Sequence, residues 1–132
     1  MSLEIEMILR LLLAAVLGIG IGFQRERSNK PAGIRTHGLI CLGSALFTVA
    51  SFVFGEGADP SRVAAGIVTG IGFIGAGVIF RGSKDDSLVG LTTAASIWVT
   101  TAIGLAAGAG MYLISGIVAV LAVLILLIPK QN

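Results

Sequence analysis

Between Ser87 and Ile128 the chain runs 42 residues without one charged side chain. As a single α-helix this run would be about 63 Å long at 1.5 Å per residue, roughly twice the hydrocarbon thickness of a bilayer. It must turn back, and Gly108-Ala109-Gly110 is the place where glycine permits a sharp turn. Two further charge-free runs of 18 residues each extend from Gly38 to Gly55 and from Val63 to Phe80. A fourth apolar run, Ile5 to Phe23, is interrupted only by Glu6 and Arg10. A membrane-spanning helix takes roughly 17–25 apolar residues. The pattern predicts an all-α integral membrane protein with five transmembrane helices, at about 5–23, 38–55, 62–80, 88–107 and 111–128.

Composition removes the other classes. Only 12% of the 132 residues are charged, against about 25% in a soluble domain, and 55% are hydrophobic. A soluble domain, a disordered tail and a nucleic-acid-binding module all need polar surface that is missing here. The single cysteine, Cys41, excludes a disulfide scaffold and a cysteine-based zinc site. A β-barrel calls for ten-residue alternating segments, whereas these runs are continuously apolar. Glu4 and Glu6 stand where a cleaved signal peptide would carry basic residues.

Basic residues set the expected orientation. Arg25, Arg27, Lys30 and Arg35 lie between helices 1 and 2, Arg81 and Lys84 between helices 3 and 4, and Lys130 at the end. These seven share one side; only Arg10 and Arg62 belong to the other. The N-terminus is expected outside and the C-terminus in the cytosol. Arg10 lies inside helix 1, with Glu6 one turn earlier as its expected i,i+4 partner.

Small residues recur every four positions at Ala14, Gly18 and Gly22, at Gly66 and Gly70, and at Gly104 and Gly108. In lipid such stripes let helix backbones approach closely. Helix 3 is the densest, with Gly66, Gly70, Gly72, Gly75 and Gly77, and is expected at the centre of the bundle. The same surplus of small-residue faces predicts a homodimer. Asp59-Pro60-Ser61-Arg62 reads as the outer-face start of helix 3, with Asp59 as N-cap. Trp98, near the middle of helix 4, is expected to find an acceptor for its indole N–H. Cys41 reads as a small buried residue, and His37 as an interfacial residue at a helix start.

Shifted by 57 residues, the chain falls on itself at Gly18/Gly75, Gly20/Gly77, Phe23/Phe80, Gly33/Gly90, Thr36/Thr93, Ile40/Ile97 and Ala45/Ala102. Helices 1–2 and 3–4 then form a parallel repeat about an axis along the membrane normal, with helix 5 added. The repeat sets Gly33-Ile34-Arg35-Thr36 and Gly90-Leu91-Thr92-Thr93 at equivalent cytosolic helix starts. Glu26, Arg35, Thr36, Thr92 and Thr93 are the expected polar cluster there: two helix N-termini with hydroxyl and guanidinium donors around a carboxylate or a bound anion.

These residues resemble the membrane domain of the MgtC/SapB family of bacterial inner-membrane proteins. Arg25-Glu26-Arg27 matches the family's basic and acidic stretch after helix 1, and Ala32-Gly33-Ile34-Arg35-Thr36-His37 its A-G-L/I-R-T-H motif. Cys41-Leu42-Gly43 follows as in the family, and Asp59-Pro60-Ser61-Arg62-Val63-Ala64 matches D-P-S-R-I/V-A. Gly70-Ile71-Gly72-Phe73-Ile74-Gly75-Ala76-Gly77 matches G-I-G-F-L/I-G-A-G. Gly90-Leu91-Thr92-Thr93-Ala94-Ala95 with Trp98-Val99 matches G-L-T-T-A-A and its later tryptophan. The family's type member resembles a membrane domain followed by a cytosolic ACT-like domain. This chain stops four residues after helix 5, so a single membrane domain over 1–132 without a C-terminal soluble domain is expected.

The resemblance implies adaptation to low magnesium, acid stress or life inside a host cell, and a regulatory contact with a membrane partner such as the F-type ATP synthase. Nothing in the residues resembles an ATPase: there is no G-x-x-x-x-G-K-[ST] loop. The acids Glu4, Glu6, Glu26, Glu56, Asp59, Asp85 and Asp86 all fall at or near a membrane face. A transporter would want ionisable groups at mid-membrane, and magnesium leans on carboxylates. A non-enzymatic regulator with neither cofactor nor metal is therefore the first expectation. A small ion or solute transporter with a path along helix 3 is the second.

Overall fold

The structure is a computed structural model and describes residues 2–81, with the side chain of Arg81 excepted, and 87–130. Lys84, Asp85 and Asp86, on which part of the charge reading rests, lie outside the described residues. Five helices follow in order: α1 (Leu3–Arg27), α2 (Ile34–Ser51), α3 (Pro60–Gly77), α4 (Leu91–Gly108) and α5 (Tyr112–Leu126). Three of them, α1, α2 and α4, are long and apolar enough to cross a membrane, and α5 is a shorter apolar helix.

Local chemistry fixes the ends. The Ser2 hydroxyl accepts from Ile5 N–H at 3.2 Å to cap α1. Asp59 caps α3, its Oδ1 accepting from Ser61 N–H at 3.0 Å and from the Ser61 hydroxyl at 2.6 Å, with Pro60 opening the helix. The charge-free run turns where the glycines allow it: Gly110 adopts a left-handed φ of +89° between α4 and α5. Between α3 and α4 the sequence suggested only a loop. The structure adds a short ribbon, β1 (Phe80–Arg81) antiparallel to β2 (Leu88–Val89), in register Phe80 to Val89 and Arg81 to Leu88. Gly90 follows at φ +94°, where a Cβ would run into the Val78 carbonyl.

The bundle is built on α1, α2 and α4, with α5 lying in the groove between α1 and α4. Its core comprises Ala14, Ile21, Cys41, Ala45, Ile103, Ala107, Ala119 and Ala122. Most of these are small, so helix axes sit close and backbones touch. A Cβ on Gly18 would stand 2.5 Å from the His37 carbonyl oxygen, one on Gly104 2.9 Å from Ser44 Cβ, and one on Gly108 2.6 Å from the Ala45 carbonyl oxygen. Gly22 faces the Gly33–Ile34 backbone with equally little room, 2.5 Å from Ile34 Cα. Large apolar side chains point outward instead, among them Leu12, Val16, Ile114 and Leu124.

Helix α3 departs from expectation. It is the outlying helix, packed on α4 and along less of its length on α2, and none of its residues is buried. A Cβ at Gly66, Gly70, Gly72 or Gly77 would meet nothing within 4 Å, and one at Gly75 only Ala94 Cβ at 3.9 Å. Glycine density suggested a central helix. In the single chain the tight glycine contacts are those of α1, α2 and α4.

Candidate functional site

The end of the bundle formed by the last turn of α1 and the first turns of α2 and α4 contains a buried polar network centred on residues other than those the sequence singled out. Arg25, in the last turn of α1, is 3% exposed, and His37, in the first turn of α2, is 0% exposed. Arg25 Nη2 donates to Thr93 Oγ1, and its Nε and Nη2 donate to the Pro31 carbonyl at 3.3 and 3.2 Å. His37 Nδ1 lies 3.1 Å from the Gly33 carbonyl and its Nε2 2.9 Å from Ser96 Oγ. A neutral imidazole with its proton on Nδ1 serves the carbonyl and leaves Nε2 to accept. The Ser96 hydroxyl has two acceptors within reach, Nε2 and the Thr93 carbonyl at 2.7 Å, and one proton to give. The network joins the end of α1, the 28–33 loop, the start of α2 and the start of α4.

Of the five residues expected to cluster here, the network takes in one, Thr93. Glu26 is exposed and works next to it: its Oε1 accepts from Ile34 N–H at 3.0 Å and so satisfies a free donor at the α2 N-terminus. The same carboxylate packs over Gly33, where any Cβ would strike it. Arg35 and Thr92 are exposed and Thr36 half-buried, and Arg35 makes no hydrogen bond or ion pair among the described residues. His37 sits fully inside the bundle, not at its surface. A sequence signal for the network exists. His37, Cys41, Ser44, Thr48 and Ser51 fall at alternating spacings of four and three, as do Thr93, Ser96 and Thr100 three and four apart, each set one stripe of a helix.

The remaining buried hydroxyls close on backbone carbonyls. Ser44 donates to the Thr101 carbonyl across the α2–α4 contact at 2.7 Å, Thr48 to Ser44 at 2.8 Å, Thr100 to Ser96 at 2.6 Å and Thr101 to Ile97 at 2.9 Å. At the other end Arg10 Nη2 donates to Glu6 Oε1 at 2.8 Å, the expected pair. Its Nη1 also donates to the Gly108 carbonyl at 3.0 Å, which ties α1 to the last turn of α4. Arg62, beside the Asp59 cap, is exposed. Trp98 is 62% exposed and looks out of α4 beside Val68 and Ile71 of α3. Its indole N–H has no acceptor among the described residues, contrary to expectation, because the ring points away from the bundle.

Among the described residues an apolar cleft of about 710 Å³ opens between α2 and α3. Leu39, Ile40, Gly43 and Phe47 of α2 form one wall, and Val63, Gly66, Ile67, Gly70, Ile71 and Ile74 of α3 the other. Ser44 and Thr101 supply its few polar atoms.

The chain matches the MgtC family over residues 11–132. It belongs to the MgtC family. YhiD of Escherichia coli (strain K12), which bears the name "Putative magnesium transporter YhiD", is 52% identical over 115 residues, 81% of this chain and 53% of YhiD. SapB of Bacillus subtilis (strain 168) is 42% identical over 115 residues, 81% of this chain and 49% of SapB. MgtC of Brucella abortus (strain 2308) is 45% identical over 98 residues, 74% of this chain and 40% of MgtC. The chain thus spans about half or less of the length of these relatives. No solved structure matches it. As a member of the MgtC family with apolar helices of spanning length, it is a membrane protein. The names of these MgtC-family relatives state no enzymatic activity.

Proposed function

We propose that the protein is a non-enzymatic regulator of the bacterial inner membrane, acting by helix–helix contact with another membrane protein. It crosses the bilayer five times, N-terminus outside and C-terminus in the cytosol, as two similar hairpins, α1–α2 and α3–α4, with α5 added. The repeat finds support in the way equivalent residues meet. Ser44 bonds to Thr101, 57 positions on, and Gly18 abuts His37 as Gly75 approaches Ala94, again 57 positions on in each case.

The observation that carries the regulatory reading is the cleft between α2 and α3. Its walls are hydrocarbon and glycine and it lies along a helix with no buried residue. That surface offers packing, which is what holds helices together in lipid. It offers little to a magnesium ion, which takes oxygen ligands and parts reluctantly with its waters. Among the described residues the buried side-chain polar atoms, with the one exception of Arg10 Nε, are engaged with one another or with carbonyls. For the biological setting the proposal takes adaptation to low magnesium, acid stress or intracellular survival, with a partner such as the F-type ATP synthase, as the resemblance of the sequence implies.

A second reading, transport, draws on the Arg25–Thr93–Ser96–His37 chain, since buried ionisable residues in a membrane bundle mark ion paths by default. Purified protein in liposomes separates the two. Magnesium influx at the rate of protein-free vesicles, together with capture of a specific membrane partner by a photo-crosslinker at Leu39 or Phe73, is the expected result. Saturable influx abolished by His37→Ala overturns the regulatory reading.

A further inference from the structure

We infer that the α2–α3 cleft is the contact by which two copies of this chain join, each inserting its α3 into the cleft of the other. The inference rests on the two-hairpin repeat. Under that repeat α1 corresponds to α3 and α4 to α2, so the groove between α1 and α4 corresponds to the cleft between α3 and α2. The first groove is filled by an apolar helix of the chain itself, α5, through Ser115, Ala119 and Ala122. The second is the same kind of groove with its helix missing.

Its chemistry says which helix fits. The buried face of α5 is small, Ser115, Ala119 and Ala122, and Leu13 and Leu17 of α1 pack against the core cluster to which Ala119 and Ala122 belong. Fifty-seven positions on, the wall carries Gly70 and Ile74, and Gly66 lies one turn before. With glycine at position 70 where α1 has leucine at position 13, and open space at Gly66 and Gly70, a backbone can come close along this wall. Two copies inserted under the same charge bias share one orientation, so their α3 helices meet in parallel at equal depth. Gly66 and Gly70 then face their own counterparts, the arrangement in which small residues four apart let two backbones touch. A two-fold contact must be self-complementary, and α3 supplies both halves: the glycine hollow and, on the same helix, Ile74 and the 80% exposed Phe73. Burying α3 in this way also gives its glycines a contact, which the single chain denies to four of the five.

The test is the oligomeric state in native-membrane nanodiscs, where detergent does not compete for the cleft. The expected mass is that of two chains. The double variant Gly66→Leu/Gly70→Leu should be a single chain with an unchanged helical circular-dichroism spectrum, because both side chains enter open space. Should that variant not fold, Gly70→Cys in a Cys41→Ala background decides. An oxidant should link it into dimers in intact membranes, while Trp98→Cys in the same background stays unlinked. A single-chain mass for the unaltered protein overturns the inference, whether a phospholipid or a different protein then occupies the cleft. So does a folded leucine double variant that remains two chains, or a Gly70→Cys variant that does not link. The regulatory reading uses the same cleft, so the two are distinguished by what a photo-crosslinker at Leu39 captures. A second copy of this chain fits the inference and moves any further partner to the exposed outer faces of α1 and α5. A different membrane protein there overturns the inference and fits the regulatory reading alone.

Discussion

Arg25 and Arg35 carry the same side chain, stand ten positions apart, and are expected to behave oppositely. The Arg25 guanidinium reaches two acceptors at once from a 3% exposed position, and its loss leaves the Pro31 carbonyl and Thr93 without their donor. Such removal typically costs about 2–4 kcal/mol, and lysine, a point donor, does not replace the planar fork. Arg35 is exposed, and its removal should stay within about 0.5 kcal/mol. Unfolding of Arg25→Ala, Arg25→Lys and Arg35→Ala in mixed micelles checks the ranking; a larger loss for Arg35→Ala would sink it. The sequence placed its polar cluster at the end of the bundle where the buried network lies, but around Arg35, which is exposed, and not around Arg25, which the network holds. Charge spacing gives the end, because basic residues gather in the short connections. It does not give the rotation of α1, which decides whether Arg25 or its neighbours face inward. The threonine and serine stripes hold that information. Glu26 was legible for a local reason, since a carboxylate beside a helix start finds free N–H groups within reach.

At the scale of elements, the helices follow from the charge-free runs to within a few residues at most ends, and the α4–α5 turn from its glycines. What those runs leave open is which helix is central. Five glycines on α3 and four tight ones on α1 and α4 look alike as letters. They differ in whether a neighbour is there to use the missing side chain. Gly104 lies against the Cys41 backbone and Ser44 Cβ, so Gly104→Ala must push α2 and α4 apart. A loss on the order of 2–3 kcal/mol or outright misfolding is expected, as for overpacking in a close-packed interior. Gly72→Ala on α3 meets nothing within 4 Å and should hold or raise stability by up to about 1 kcal/mol, the helix-propensity gain. Thermal melts of the two variants, compared with the unaltered protein, test the contrast; equal losses would mean that α3 is packed as tightly as α4.

For the whole molecule, sidedness decides what each end can meet. The Arg25–His37 network faces the cytosol only if the basic connections are retained there, and the Asp59 cap and Arg10–Glu6 pair then face outward. The bias of seven basic residues to two is strong because all the connections are short, the regime in which positive charge governs insertion. Its weight on the 3–4 connection rests on Arg81 and Lys84, whereas the 1–2 connection carries Arg25, Arg27, Lys30 and Arg35 by itself. Arg25 is drawn into the bundle and so counts less as a surface charge, but three exposed cations remain beside it. Cys41, the native thiol, is fully buried and stays silent to a membrane-impermeant reagent, so single added cysteines report cleanly. Glu56→Cys should label in intact cells. Lys30→Cys and Lys84→Cys should label only after the membrane is opened. The reverse pattern would turn the molecule over, place the polar network outside, and remove the cytosolic face as the side from which Thr93, His37 and their neighbours could be reached.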